Sequence, residues 1–419
     1  MRIQRRRSAV MGAATLSLML LASACGSGGG GGGSAPGVTA NEIKIGLFAP
    51  LSGPSAVYGK GLQTIEAMYN ELNANGGING RKIKLVVEDD KCDPTTARLA
   101  VTKLIQKDKV FMLQGGMCSA AVTAALPIIK QSGIPFVVAG AAAHSIVDPP
   151  TMNVFDGWVD NSSGTAMNAS LLSSFIEKTG KTKVGVIAQS DEWGQGWLSS
   201  FMSSLQESNA ATKAKIVVKE AIAPDTTDAT AQVQKLKSAG VDIAIVYAYP
   251  DPMSVFLRNA SQQGLDIPVV TGQGTFPEDQ LKRIGSPGPV KNFYTSYCMA
   301  APLTSPELAP YRDAVAKYYP KDSFDLSSML GVSGYDVNVA VLKKLGNDLT
   351  WASWIKAAEG VHNLKTPAAP QPISYKPFAA NDPTSRLGVA SCNVSHLNPD
   401  TSSKAKIVVT GADWSQASR

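Results

Sequence analysis

The most reactive side chains in this sequence are cysteines and histidines, and their spacing limits what they can do. The five cysteines are Cys25, Cys92, Cys118, Cys298 and Cys392, and no two of them form a CxxC pair. The three histidines are scattered along the chain. A zinc site needs such ligands at close, repeated spacing, so none is expected. If the chain is exported, the even number of cysteines after Cys25 favours disulfides instead.

Motifs for catalysis are also missing. The chain has no GxSxG elbow, no HExxH helix and no phosphate loop ending in Lys and Ser or Thr. The stretch "GKGLQT" (59–64) lacks the third glycine of a dinucleotide fingerprint, and the start of a helix explains it better. The sequence therefore favours a binding protein over an enzyme, and no cofactor is expected.

The first residues of the chain predict export. Four arginines precede an apolar run from Val10 to Leu21, which is too short and too rich in Ala and Ser for a comfortable membrane span. A bacterial signal peptide has this organisation. The stretch "LASAC" resembles a lipobox, in which the cysteine, here Cys25, becomes the lipidated first residue, although Ala22 stands where Leu is usual. The alternative is a plain secretory signal cut near Ala24.

In the lipoprotein interpretation, residues 1–24 are the signal and residues 25–40 are a glycine-rich tether on the membrane. Loss of the four arginines lowers the formal net charge from +6 to about +2. No basic stripe with interleaved aromatic residues remains, so nucleic acid is not an expected partner. Roughly 380 residues follow, enough for two domains of ordinary size. They contain no second long apolar segment.

Beyond the tether, short β-branched runs alternate with amphipathic segments. "IKIGLFA" (43–49) and "KIKLVVE" (82–88) predict buried strands, and the segment between them has apolar residues at helical spacing. The pattern recurs from "KTKVGVIAQ" (181–189) onwards. Such alternation predicts parallel sheets covered by helices. Because the strands are too many for one compact sheet, the expected fold is α/β with two doubly wound lobes.

Sheets of this kind bind ligands beyond the carboxyl ends of their strands. The segments that follow the predicted strands are rich in small and aromatic residues, as a ligand pocket requires. They read "PLSGPSAVYG", "GGMCSAA", "GAAAHS", "QSDEWGQG", "AYPDPM" and "TGQGTF". These turns are the predicted binding surface for a small molecule.

Four stretches together resemble the leucine/isoleucine/valine-binding protein family, the type I periplasmic-binding receptors of branched-chain amino acid ABC importers. They are "LFAPLSGPSAVYGKGLQ", "NANGGINGRKIKLVVEDDKCDP", "QGGMCSAA" and "SDEWGQG". The resemblance extends over nearly all of the chain after the tether. It implies a two-lobe clamp joined by three crossing strands. One lobe would comprise residues 41–159 plus 299–372, and the other residues 160–298 plus 373–419.

The resemblance also implies a disulfide between Cys92 and Cys118, which follow successive strands. Closing that loop would stabilise the fold by roughly 3 kcal/mol. Two buried thiols are the alternative. Cys298 and Cys392 are a weaker candidate pair, inferred only from the even count.

The family's ligand-binding positions can be carried over one by one. Ser119 would lend a hydroxyl and backbone groups to a ligand carboxylate, and Ala141 would offer backbone groups. Trp193 would lie over the ligand, Tyr249 would cap it, and Tyr58 would face the cleft. Each has a structural alternative: the tyrosines as ordinary surface-turn residues, Trp193 packed beneath a helix, and Ser119 as a helix cap.

Two positions depart from the family pattern. Where amino-acid binders use a hydroxyl residue and an acid to hold the α-ammonium, this chain has Ala143 and Gln273. A buried ammonium without a carboxylate would be poorly compensated. Other acids could substitute, namely Asp156, Asp191, Glu192 and Asp251. The inventory therefore predicts an atypical amino acid or a ligand of another class, such as an aromatic or short aliphatic carboxylate or an amide.

The resemblance implies a lipid-anchored extracytoplasmic substrate-binding protein of an ABC importer. It would close on a small solute as a monomer and deliver it to permease subunits in the membrane. A ligand sensor that signals to a membrane kinase or receptor is the first alternative. A two-lobe α/β enzyme is the second, and the absence of a paired nucleophile and base argues against it.

Overall fold

The computed structural model describes residues 35–158, 180–207, 214–272, 274–275, 277–286, 288–290, 292–297, 303–369, 372–388 and 395–397. Cys25, Gln273, Cys298 and Cys392, to which the sequence analysis assigned roles, lie outside these ranges. Within the described ranges, no helix is both long and apolar enough to cross a bilayer.

The first lobe is built on a parallel sheet with the strand order β2-β1-β3-β4-β5. The strands are β1 (Glu42–Ala49), β2 (Lys82–Asp89), β3 (Met112–Gly115), β4 (Phe136–Val138) and β5 (Val154–Asp156). The helices between them are α1 (Gly59–Ala74), α2 (Pro94–Thr102) and α3 (Ser119–Ser132). The last residues of β1 are buried completely, because helices cover both faces of the sheet.

Local sequence signals explain where these helices begin. Asp93 caps α2 by accepting a hydrogen bond from the Thr96 backbone N–H at 2.7 Å, and Pro94 occupies the first helical position. Cys118 precedes α3, and its Sγ is bonded to that of Cys92, with the two Cα atoms 5.4 Å apart. The disulfide therefore ties the start of α3 to the turn before α2.

The second lobe has the strand order β11-β10-β9-β8-β6-β7, in which only the β10–β11 pair is antiparallel. Its strands are β6 (Lys183–Gln189), β7 (Lys215–Ile222), β8 (Ile243–Tyr247), β9 (Val269–Thr271), β10 (Phe293–Tyr297) and β11 (Ser395–Leu397). Its helices are α4 (Glu192–Glu207), α5 (Thr230–Ser238), α6 (Pro250–Gln262) and α7 (Pro277–Ile284). The two parallel-sheet lobes predicted from the sequence are thus confirmed.

Three later helices return to the first lobe. They are α8 (Ala309–Tyr318), α9 (Val332–Leu345) and α10 (Trp351–Glu359). Tyr311, Val337 and Trp354 from these helices share one core with residues of β1 and α1. The chain then rejoins the second sheet as β11, so it passes between the lobes three times.

The third passage comes later than the sequence analysis placed it. Residues 373–388 were assigned to the second lobe, but Ile373 and Tyr375 are buried in the first-lobe core. Arg386 is fully buried, donates to Glu359 Oε1 at 2.7 Å and lies over the Phe155 ring. A buried guanidinium needs such partners, so this segment is held on the first lobe as far as Gly388.

The end of the predicted tether packs on the first lobe. The Ala35 N–H donates to the Leu349 carbonyl at 3.1 Å, and the Gly37 carbonyl accepts from the Lys44 N–H at 2.8 Å. A Cβ on Gly37 would lie 2.4 Å from the Phe111 nitrogen, so only glycine fits there. Of the tether predicted at 25–40, the described part, which begins at residue 35, is therefore docked rather than flexible.

Candidate functional site

The two lobes repeat one topology, and this repetition locates the site. In each sheet the strand order reverses once, between β1 and β3 in the first lobe and between β6 and β8 in the second. Ligands of open α/β sheets bind at this switch point, beyond the carboxyl ends of the strands. The residues that follow these four strands include Tyr58, Ser119, Trp193 and Tyr249.

Tyr58, Trp193 and Tyr249 line one cleft between the lobes. The cleft is nearly closed: its cavity volume of about 20 Å³ is room for about one water molecule. The other lining residues are Met117, Gly140, Ala142, Trp158, Tyr247, Gly274 and Leu330. None of the ten lining residues carries a charged side chain at neutral pH, and five of the ten are aromatic. The walls therefore suit an apolar, ring-shaped body better than a charged one.

Tyr58 joins the lobes directly. It ends a short 3₁₀ turn after β1, is only 4% exposed, and donates its hydroxyl hydrogen to the Gly274 carbonyl at 2.7 Å. Its ring meets the Tyr249 ring edge to face, with centroids 5.8 Å apart. Burial raises the pKa of Tyr58 well above its ordinary value, so the hydroxyl stays a donor. The alternative of a surface-turn tyrosine is excluded by this burial.

Ser119 does not itself line the cleft; it is buried and hydrogen-bonded to Ala142, which does. Ser119 is the first residue of α3, and its Oγ accepts hydrogen bonds from the backbone N–H groups of Ala142 at 3.1 Å and Ala143 at 3.0 Å. The hydroxyl therefore fastens the turn after β4 to the start of α3. The cap position belongs to Cys118, so Ser119 is not the helix cap that the sequence also allowed.

Ala141 and Ala143 are not among the residues that line the cleft, and the backbone role predicted for Ala141 stays a prediction. Both pack in the core beneath the sheet, and the Ala141 N–H donates to the Gly116 carbonyl at 3.0 Å. Ala142, between them, is the residue that faces the cleft. Successive residues of an extended segment point to opposite sides, which explains why Ala142 faces the cleft while its two neighbours pack in the core.

Trp193 lies in the first turn of α4. Asp191 holds that turn by accepting from the Gly194 N–H at 2.9 Å, and a Cβ on Gly194 would lie 2.2 Å from the Gln189 carbonyl oxygen. The glycine thus lets the helix start close to β6. The Trp193 ring lies between Tyr247, at 4.1 Å, and Tyr249, at 4.4 Å between centroids. It both packs in the lobe and lines the cleft.

The stacking continues into the second lobe. Tyr247 also stacks on Trp197 at 4.3 Å, and Trp197 on Phe201 at 4.9 Å. Trp193, Trp197 and Phe201 are four residues apart, so they share one face of α4. We call the series Tyr249, Trp193, Tyr247, Trp197 and Phe201 the aromatic column. It gives the cleft a rigid wall whose far end is buried in the lobe.

Tyr249 ends the column at the cleft. Its backbone N–H donates to Gln189 Oε1 at 2.9 Å, and its hydroxyl oxygen is buried with no hydrogen-bond partner among the described residues. Burial raises the pKa of Tyr249 well above its ordinary value, with the Asp191 charge adding to the rise, while the Ser119 N–H lowers it. Tyr249 packs against the first-lobe core that contains Met117 and Cys118, the two residues before α3.

The helix starts at the two equivalent switch points differ in their donors. The first turn of α3 reads Ser-Ala-Ala, and each residue has a backbone N–H that no intrahelical carbonyl accepts. The first turn of α6 reads Pro250, Asp251 and Pro252, so two N–H groups are missing and one carboxylate is added. An anion is stabilised by free N–H groups at a helix start. The α3 start can hold an anionic group, whereas the α6 start cannot.

The acids proposed to replace the family's ammonium ligand already have partners. Asp191 Oδ2 accepts from the Gln189 amide at 2.7 Å, in addition to its bond with Gly194. Asp251 is paired with Arg283. The Glu192 carboxylate accepts from the Ser145 hydroxyl at 2.9 Å, and Asp156 accepts from the Trp158 N–H at 2.9 Å. Among the described residues, therefore, no carboxylate lines the cleft.

Sequence analysis missed several lining residues. Trp158 follows β5, so the rule that identified the other turns also applies to it. Tyr247 is the last residue of β8, and the predicted turn "AYPDPM" begins one residue after it. Leu330 comes from the C-terminal helices of the first lobe, and no local pattern connects it with the cleft.

A family model described as "Periplasmic binding protein" matches residues 42–384, which include the first sheet, the second sheet except β11, and every described residue of the cleft. The chain belongs to the periplasmic binding protein family. This agrees with the resemblance that the sequence motifs carried. Members of this family bind solutes outside the cytoplasm and are not enzymes, so the prediction of a binding protein is confirmed by the family.

Curated relatives support the same assignment. A leucine-, isoleucine-, valine-, threonine- and alanine-binding protein of Pseudomonas aeruginosa is 29% identical over 232 residues, which are 55% of this chain and 60% of the relative. A Leu/Ile/Val-binding protein homologue of Brucella suis is 29% identical over 239 residues, 56% of this chain and 59% of the relative. The matches thus span less than two thirds of these relatives.

Solved structures share the fold. LivJ of Streptococcus pneumoniae in complex with isoleucine has a TM-score of 0.74 and 21% identity, and the match spans 86% of this chain and 97% of that one. A solute-binding protein of R. palustris in complex with benzoate has a TM-score of 0.72 and 21% identity, with 88% and 96% coverage. At this identity the likeness establishes the fold alone.

Proposed function

We propose that this chain is the lipid-anchored substrate-binding protein of an ABC importer. It captures one small solute between its lobes and delivers the solute to permease subunits. The observation that carries the proposal is the shared cleft, in which the switch points of both lobes contribute lining residues. The family assignment supports a solute-binding role.

Closure of the two lobes is the proposed mechanism. Hydrogen bonds from Tyr58 to Gly274 and from Ser145 to Glu192 already join the lobes across the cleft. Both have a donor in the first lobe and an acceptor in the second. A solute that contacts both walls adds to these bonds and shifts the population toward the closed form. The closed form would present both lobes to the permease together.

The proposed ligands are amino acid-like compounds, small organic or aromatic carboxylates, and amides. The helix start at α3 supports a carboxylate or another anionic or acceptor group. The names of the relatives include both branched-chain amino acids and benzoate as ligands of those proteins. The predicted ligand-binding residues are Tyr58, Ser119, Trp193 and Gln273, and Ala142 joins Ala141 and Ala143 in the turn after β4. Tyr249, predicted to cap the ligand, lies across Trp193 in this structure.

Membrane attachment through Cys25 is part of the proposal. A cell expressing the chain should incorporate labelled palmitate into it and retain it in the membrane fraction. A Cys25→Ser variant should do neither. Release of an unlabelled wild-type chain into the medium would contradict the anchor and support a plain secretory signal. A bond between Cys298 and Cys392 is a separate proposal, which peptide mapping under non-reducing conditions would test.

A compound library tests ligand capture. Thermal unfolding of the purified chain should shift upward with one compound class, because a ligand at 100 times its Kd stabilises by about 2.7 kcal/mol. The same compound should lower the radius of gyration measured by X-ray scattering. Trp193→Ala should lose the thermal shift, whereas Tyr318→Ala, on α8 outside the cleft, should keep it. No shift with any compound would contradict capture of a small solute.

Transport is tested in cells. Deletion of the gene should abolish uptake of the identified ligand, and the wild-type chain should restore it. Unchanged uptake in the deletion strain would contradict the importer role and favour a sensor.

A further inference from the structure

Tyr249 covers the face of Trp193 that is turned toward the cleft. The opposite face of Trp193 is covered by Tyr247, and both ring pairs have centroids less than 4.5 Å apart. Stacked rings at this separation leave no space for a third ring between them. An aromatic ligand can therefore stack on Trp193 only where the Tyr249 ring now lies.

The polar end of Tyr249 lies where a ligand's anionic group would be held. Its hydroxyl is buried and makes no hydrogen bond of good geometry with a described residue, and Tyr249 packs against the first-lobe core that contains Met117 and Cys118, just before α3. A buried hydroxyl that makes no hydrogen bond is unfavourable. The phenol of Tyr249 thus has a ring on Trp193 and an oxygen near the start of α3, and its hydroxyl placement is energetically poor.

In the part of the chain that the structure describes, no carboxylate lines the cleft to pair with a ligand's ammonium group. Its described lining side chains are uncharged, and the nearby acids Asp191, Glu192 and Asp251 already have partners. A buried ammonium without a carboxylate is strongly unfavourable. Only one of the two helix starts, that of α3, can hold an anion, so one carboxylate per ligand is accommodated.

From these contacts we propose that the Tyr249 side chain occupies the ligand's place, and that the ligand is a small aromatic monocarboxylate without an ammonium group. The ligand ring replaces the Tyr249 ring on Trp193, and its carboxylate replaces the hydroxyl at the first turn of α3. Tyr249 turns out of the cleft as the ligand enters. This inference rests on the proposed solute-binding function and narrows its ligand class.

Isothermal titration calorimetry with four probes tests the ligand class. Benzoate carries the ring and the carboxylate, cyclohexanecarboxylate lacks the flat ring, L-phenylalanine adds the ammonium, and L-leucine lacks the ring. Benzoate should bind the wild-type chain at least tenfold more tightly than each of the other three. Equal or tighter binding of L-leucine or L-phenylalanine would overturn the proposal.

Substitution of Tyr249 tests its displacement. In Tyr249→Ala the ligand no longer has to expel a ring, so benzoate should bind at least as tightly as to the wild type, and a several-fold gain is expected. If Tyr249 were instead a wall that contacts the ligand, the same variant would bind benzoate more weakly, which would overturn the proposal. Tyr318→Ala serves as the control, and thermal unfolding checks that both variants are folded.

Two failures can be told apart. Tight binding of an amino acid with no binding of benzoate would refute the aromatic monocarboxylate and leave the solute-binding function intact. Failure of every compound in the larger library to bind would refute the solute-binding function itself.

Discussion

The two lobes have the same strand order, yet they bring different chemistry to the cleft. At the switch point of the first lobe, α3 begins with three free N–H groups and the Ser119 hydroxyl. At the equivalent point of the second lobe, α6 begins with Pro250 and Pro252 around Asp251. The second lobe contributes the aromatic column instead. Topology therefore locates the site, and a few residues at each helix start decide what it can bind.

The lobes also hold their binding surfaces in place by different means. The start of α3 is fixed by the Cys92–Cys118 disulfide and by the two hydrogen bonds that Ser119 accepts. The aromatic column is fixed by packing, and Trp197, which lies between Tyr247 and Phe201, is completely buried. A covalent bond and polar contacts thus support the polar wall, and dispersion and apolar burial support the aromatic wall.

The largest effect is expected in the aromatic column. Trp197→Ala should lower the free energy of unfolding by about 3–5 kcal/mol, because it removes a fully buried ring between two stacked neighbours. Urea denaturation measures the loss. Trp197→Phe, which keeps a ring, should lose clearly less. Equal losses in both variants would show that stacking in the column does not hold the second wall.

Removal of the disulfide is the matching test in the first lobe. The double variant Cys92→Ser, Cys118→Ser removes a covalent link between residues 26 positions apart. It should lower the free energy of unfolding by about 3 kcal/mol. Urea denaturation measures it, and reduced wild-type protein should behave like the double variant. An unchanged midpoint would mean that the hydrogen bonds of Ser119 suffice to hold the α3 start.

Ser119→Ala separates the polar wall from the disulfide. It leaves the N–H groups of Ala142 and Ala143 without their acceptor, which should cost about 1–3 kcal/mol of stability. Binding of a carboxylate ligand should weaken as well, as calorimetry can measure. Thr123→Ala, one turn later on α3, is the control and should change neither quantity by more than about 0.5 kcal/mol. A similar loss in both variants would contradict a special role for Ser119.

Asp90, beside the disulfide, should make the stability of the first lobe depend on pH. Burial chiefly raises its pKa to about 7, and its Oδ1 accepts from the Cys92 N–H at 2.8 Å. Because the folded pKa lies above the unfolded value of about 3.9, the folded state holds this proton more tightly. The contribution of Asp90 to the free energy of unfolding should therefore decrease as pH rises from about 4 to about 7 and stay constant above that range.

The Asp90→Asn variant isolates this effect. The amide keeps an acceptor for Cys92 and cannot ionise, so the variant should be more stable than the wild type at pH 8 by about 1 kcal/mol or more, and the advantage should vanish near pH 4. Thermal unfolding between pH 4 and pH 8 measures the difference. A difference independent of pH would mean that Asp90 does not titrate in this range in the folded protein.

Much of the fold could be predicted because its signals are local. The buried strand 43–49 and the Asp93–Pro94 helix start are each determined by a few adjacent residues. The turns that carry Tyr58, Ser119, Trp193 and Tyr249 follow from the strands, since parallel strands present their carboxyl ends at one edge. The return of residues 373–388 to the first lobe had no such signal, because Arg386 meets Glu359 and Phe155 only in the folded chain.

The sequence by itself determined the alternation of strands and helices, the four turns of the site and the small and aromatic residues that fill them. Only the tertiary structure decided which side chains meet there. Ala142 rather than its neighbours faces the cleft, Leu330 arrives from a distant helix, and Tyr249 lies across Trp193. The physical reason is the distance along the chain over which the interactions act. Secondary structure follows from patterns within a few residues, whereas the cleft is formed by residues far apart in sequence, whose contacts depend on the packing of both lobes.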